Sequence, residues 1–331
     1  MIKHILIGIV LLFPNLCISQ KDKIFESKLL ETDRLNIEYM DFGGDGVPLI
    51  VVQGAHNYFD KTSKNPYINH ENNSWISFYA EFAKCYHVLA PLKRGFGKTD
   101  LQLKEESVKT STLDLISFMD GMGFEKAFFI GRDIAAQTML DLAETNQNRI
   151  AGLIFLDPRF VFTNVEDKAA KDFIFYSYLD SYNASEYKNY SMKESEFYRP
   201  RIFNDGSKRI DIPTLLFYHS FFSSTTLESR RIERFIQWVN NEEKIEWNKE
   251  YNSIEIAKYF QDLSKDKERM IGIRNYLLNN DPTPKMYDSL KLAFGDNLIV
   301  FNETNMQVED VKKALLNVYA PVVKAFLFMS N

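Results

Sequence analysis

The sequence predicts an α/β fold: a doubly wound, mostly parallel sheet interrupted by a large helical insertion. Apolar runs of four to six residues (Pro48–Gln53, His87–Ala90, Ala127–Ile130, Ala151–Leu156) recur with helix patterns between them. That alternation is what a parallel sheet covered on both faces requires. The third run passes through Gly131-Arg132-Asp133-Ile134-Ala135, a small-x-Asp-x-small turn, straight into a helix pattern. After Pro158 the chain changes character, to long helical stretches rich in Phe, Tyr, Lys and Glu.

Taken in order, Ile24–Thr32 and Leu35–Phe42 alternate polar and apolar residues, as half-buried strands do. Gly43-Gly44-Asp45-Gly46 is a turn, and Pro48–Gln53 a strand buried on both faces. A polar loop with His56 and His70 follows, and Ser74 is placed to cap a helix over Trp75–Cys85. His87–Ala90 is the next strand, Thr110–Met122 a helix, Ala127–Ile130 a strand, Ile134–Ala143 a helix and Ala151–Leu156 a strand. Glu166–Tyr182, Thr226–Val239, Ile254–Leu263 and Lys267–Leu278 read as helices of the insertion. Ile212–Tyr218 fits either a sheet strand or a helix of the insertion, and is assigned to the helix. Leu298–Phe301 is a strand and Val308–Tyr319 a helix. Pro321 cannot sit inside a continuing helix, so Val322–Met329 is read as a final strand.

The 331 residues suffice for one large core, and a net charge of −5 offers no basic field for nucleic acid. Lys3, the apolar run Ile5–Phe13, Pro14 and the small residues of Cys17-Ile18-Ser19 have the layout of a secretory signal. The expected mature chain begins near Gln20, is secreted or periplasmic and has no stable membrane span; an uncleaved anchor is the alternative. Cleavage leaves Cys85 alone, expected to be buried and inert without an intramolecular disulfide. No histidine pair has ligand spacing, so neither metal nor cofactor is expected. The Asn183 and Asn189 acceptor patterns matter only in a eukaryotic secretory route. No oligomeric state follows from the residues.

Four segments in order, PLIVVQGAH, YHVLAPLKRGFGKTD, MDGMGFEKAFFIGRDIAA and RIAGLIFLDP, resemble the α/β-hydrolase fold over Leu35–Pro158. NLIVFNETNMQVEDVKKAL resembles its later strand, loop and helix, with Asn302 and Asn305 where relatives carry Gly and Asp. VVKAFLFMSN resembles the last strand, after which relatives place Gly-His; here Asn331 is final. The leader layout and the resemblance together imply four divisions. These are a signal peptide (1–19), the first part of the core (20–158), a helical cap (159–296) and a C-terminal strand-helix-strand (297–331) lacking the histidine segment.

By that resemblance Asp133 stands at the nucleophile elbow, as in the dehalogenase and epoxide-hydrolase branches, although Ile134 replaces their usual tryptophan. A carboxylate is ionised at neutral pH and attacks without a base; a base is needed later, to activate the water that hydrolyses the ester. The Ile134 and Ala55 N–H groups would form the oxyanion hole, with Gln53 and Arg132 beside them as substrate-binding candidates. His56 is either that base or a loop residue at the pocket rim. Asp157 is either the acid or a turn residue before Pro158, and Asp133 itself also suits a helix cap. The expected partner is a small-molecule substrate or ligand. A hydrolase of a small or medium organic substrate is the first functional reading. A non-catalytic or truncated ligand-binding relative is the second, and an aminopeptidase-like member the third.

Overall fold

The computed structural model describes residues 24–54, 59, 74–100, 108–133, 135–158, 209–218, 265–268, 271, 290–302 and 311–330. Of Asp133 and Asp157 the backbone is described. Eight strands form one sheet: β1 (Glu26–Glu31), β2 (Asn36–Gly43), β3 (Pro48–Val52), β4 (His87–Pro91), β5 (Ala127–Asp133), β6 (Ile150–Pro158), β7 (Thr214–Tyr218) and β8 (Leu298–Asn302). Their spatial order is β1-β2-β4-β3-β5-β6-β7-β8. β1 and β2 pair antiparallel, β2 meets β4 antiparallel, and every later pairing is parallel.

Side-chain alternation divides the core between the two faces. Ile50, Val52, Leu89, Phe129, Leu153, Phe155 and Leu216 point to one face, where α2 (Val108–Gly121) and α3 (Ala135–Thr145) pack. Leu49, Val51, Val88, Phe128, Ile130, Ile154, Leu215 and Phe217 point to the other. There α1 (Ser74–Ala80) and the C-terminal helices cover them. Parallel strands lead every carboxyl end to one edge, which is where helix-to-strand crossovers leave room for a ligand.

The Arg94–Asp100 turn after β4 is held by its own chemistry. Glu38, buried in β2, accepts from the Lys98 N–H at 2.6 Å and from the Ser27 hydroxyl. Thr99 Oγ1 accepts from the Glu38 N–H at 3.0 Å. Gly97 has φ +56°, and a β-carbon there would fall 2.2 Å from Glu38 Oε2. The turn therefore needs glycine both for its left-handed backbone and for the carboxylate beside it.

Three expectations are corrected. Ile212–Tyr218 is not helical: Thr214–Tyr218 is β7, hydrogen-bonded between β6 and β8. Leu215, Leu216 and Phe217 are buried on alternate faces, and an apolar run covered on both sides reads the same in a buried helix as in a central strand. β7 also splits 159–296, which is not one uninterrupted insertion. The helices expected at Glu166–Tyr182, Thr226–Val239 and Ile254–Leu263 lie outside the described residues.

Val322–Met329 is not a final strand: it belongs to α5 (Ala320–Ser330), reached from α4 (Val311–Ala314) through a π turn at Leu315–Tyr319. Bonds five residues apart in that turn carry the backbone past Pro321 without the i−4 bond that proline cannot donate. β8 is therefore the eighth strand, and the segment 297–331 is strand then helix. Finally, Cys85 is exposed and disulfide-bonded rather than buried and free. Residues 81–85 form turns after α1 instead of extending it inward, and the disulfide partner lies outside the described residues.

Candidate active site

Asp133 is the last residue of β5, and α3 begins at Ala135, so a single residue turns the chain from strand to helix. Gly131 permits that turn. A β-carbon at 131 would lie 2.4 Å from Met139 Sδ and 2.9 Å from Ala135 Cβ, both on α3. Ala135 and Ala136 are fully buried. The small residues of the motif are thus those that let the helix fold back on its strand.

The neighbouring strand ends come to the same place. Val52 at the end of β3 pairs with Gly131. A β-carbon at Gly54 would stand 3.1 Å from the Arg132 carbonyl oxygen, which brings the chain after β3 against the elbow strand. On the other side, Leu156 pairs with Arg132 while Pro158 pairs with Asp133. Asp157 is the extra residue of a bulge opposite the elbow.

Gln53 is 2% exposed, and neither its amide oxygen nor its amide nitrogen has a hydrogen-bond partner. The Arg132 guanidinium lies 4.6 Å above the Trp75 ring, which itself meets Phe78 edge-on at 5.8 Å. Trp75 carries no signal in the sequence, because an aromatic at a helix start reads as core.

Ala55, His56 and Ile134 lie outside the described residues, as do His70 and His219. His87 is described and stands at the amino end of β4, the edge opposite the elbow, with Nε2 3.3 Å from Asp41 Oδ1. It is structural, as expected. His219 follows Tyr218, the last residue of β7, in the sequence. The residues after β8, 303–310, contain no histidine.

The Arg94 charge is paired within the protein. Arg94, buried, donates to Asp114 from Nε at 2.5 Å and from Nη2 at 2.7 Å, and Arg34 Nε donates to the same carboxylate at 3.0 Å. These bonds tie the turn after β4 to α2 and to the start of β2.

No family model matches the chain. Epoxide hydrolase A of Mycobacterium tuberculosis is 24% identical over 131 residues, which is 39% of this chain and 37% of that protein. The match therefore spans little more than a third of that relative's length. The solved structure of a meta-cleavage product hydrolase from Pseudomonas fluorescens superimposes with a TM-score of 0.51 at 15% identity, covering 92% of this chain and 98% of the other. A thermophilic esterase from Thermogutta terrifontis gives a TM-score of 0.50 at 13% identity, covering 92% and 99%. Together with the strand order and the one-residue turn after the fifth strand, these likenesses settle the architecture: the chain has the α/β-hydrolase fold.

Proposed function

We propose that this chain is a hydrolase of a small or medium organic electrophile, with Asp133 as its nucleophile. The carrying observation is the one-residue turn from β5 to α3, closed by Gly131, which sets Asp133 on the carboxyl edge of the sheet. The partial likeness to an epoxide hydrolase supports the same chemistry.

In this reading a carboxylate oxygen of Asp133 bonds to the electrophilic carbon. The carbon's bond to its leaving oxygen or halogen breaks, the leaving atom keeping the electron pair, and an alkoxide so formed takes a proton from solvent water, the hydroxide left being neutralised by the proton the base later gives up. Water then adds to the Asp133 ester carbonyl as a base removes its proton. The N–H groups of Ile134 and Ala55 hold the resulting oxyanion, and its collapse releases the alcohol and restores the carboxylate. Asp157 at the β6 bulge orients the base.

Two histidines compete for the base. His56 follows Gly54, whose contact with Arg132 supports a place near the elbow. His219 follows β7, two strands from β5 at the same edge. His56→Gln and His219→Gln separate them. The variant that removes the base accumulates the ester and loses about 10²-fold or more in turnover; the other retains both steps. If neither variant accumulates ester on substrates that the parent protein turns over, the two-step scheme is wrong.

A ligand-binding relative without turnover is the second reading, favoured by the absence of histidine from 303–310. Tight reversible binding, with no hydrolysis across ester, epoxide and halide panels, selects it. Action outside the cytoplasm completes the proposal and rests on the leader-like Lys3 to Ser19; recovery of the expressed chain from the cytosol alone contradicts it.

A further inference from the structure

The Gln53 side chain is the one buried polar side chain among the described residues whose amide atoms are both unpartnered. A buried amide with no partner in the protein calls for one from outside it, a water or a polar group of a ligand. Gln53 lines a cavity of about 40 Å³ with Arg94, Ser111, Asp114 and Thr138, at the carboxyl ends of β3 and β4. That volume holds about three water-sized atoms. Asp114 is already met by Arg34 and Arg94, and Lys93, which also lines the cavity, is engaged in an interaction of its own. What stays unmet is a neutral donor and a neutral acceptor on one planar group.

We propose that Gln53 and this cavity bind the carboxamide end of a ligand. A primary carboxamide has three heavy atoms. Its carbonyl accepts from Gln53 Nε2 while its N–H donates to Gln53 Oε1, so both orphaned atoms are satisfied at once. A carboxylate offers no donor to Oε1, and an alkyl end offers neither partner. This rests on the reading of Asp133 only in taking the ligand to be the substrate. The pocket itself is independent of any turnover.

The test is ligand-observed saturation-transfer NMR on the full chain with propanamide, propionate and butanone, alongside thermal unfolding. Propanamide receives saturation and the other two receive at least several-fold less. Gln53→Leu abolishes the propanamide signal and raises Tm by about 1–3 °C, because an unpaired amide is replaced by an apolar side chain. Gln53→Glu, which keeps the acceptor and loses the donors, also abolishes it. Asp133→Asn leaves it unchanged, so failure of the nucleophile reading does not pass for failure here. A Gln53→Leu variant that misfolds or melts several degrees lower shows that the amide has a structural partner, and overturns the proposal. Equal saturation of propionate, or of propanamide on Gln53→Leu, overturns it as well.

Discussion

Gly131 and Met139 face each other so closely that a β-carbon on residue 131 would stand 2.4 Å from Met139 Sδ. The thioether can swing aside, but Ala135 Cβ at 2.9 Å moves only with α3. Gly131→Ala is therefore expected to cost about 1–3 kcal/mol, the range for overpacking a filled core. It should also displace Asp133, two residues on. Chemical denaturation reads the first effect, and the rate of Asp133 modification by an epoxide reads the second. Wild-type values for both would mean that the turn has slack the packing denies.

Asp114 tests what holds the turn after β4. Asp114→Asn leaves the buried Arg94 guanidinium facing an amide in place of a carboxylate, and is expected to cost about 3 kcal/mol. Arg34→Ala removes the more exposed partner of the same carboxylate and should cost no more than about 1 kcal/mol. Equal losses from the two variants would contradict the assignment of Arg94 as the buried anchor.

The acid limb of stability has named contributors. Burial raises the Glu81 carboxyl, but the hydrogen bonds from Lys324 and Lys84 outweigh it and hold Glu81 below its ordinary value of 4.5. Burial likewise raises Asp41, and Lys28, the Gly43 N–H and His87 pull it below 3.8. A depressed carboxyl stabilises the fold above its unfolded-state pKa, and that contribution is lost as pH falls through the folded-state pKa. Lys324→Met should therefore lower the unfolding free energy at pH 7 slightly, by less than about 1 kcal/mol for so exposed a pair. The gap should close as pH falls below 4.5 and through the folded-state pKa of Glu81, once the carboxyl is protonated in both proteins. A gap that stays constant over this range would remove Glu81 from the account.

Arg132 sits over Trp75 and links the elbow strand to α1. Arg132→Met is expected to cost about 0.5–2 kcal/mol, the span for a cation on an aromatic face. Trp75→Leu should cost at least as much, and the double variant less than the sum of the two. Additivity within error would show that the contact contributes nothing of its own.

The described strands up to Pro158 were legible because turn residues bound them and, from β3 onward, helices alternate with them. Gly131 and Ala135 disclosed the elbow for the same reason: a strand that turns into a helix within one residue tolerates little else. The C-terminal third was less readable. Thr214–Tyr218 is apolar on every side, so period alone does not separate strand from helix, and placing a last strand at Val322–Met329 left the true seventh strand without a role. Pro321 was read as a stop, whereas a π turn lets a helix pass it. The sequence could mark Gln53 as a polar residue at a strand end, but not that its amide lacks a partner, since that depends on what the fold brings near it.

The most direct measurement of the central claim is peptide-resolved mass spectrometry after exposure to a small epoxide or alkyl halide. The account predicts one added equivalent on the peptide containing Asp133, absent from Asp133→Asn and released by hydrolysis in the active protein. Modification spread over surface carboxylates, unchanged by Asp133→Asn, would contradict it.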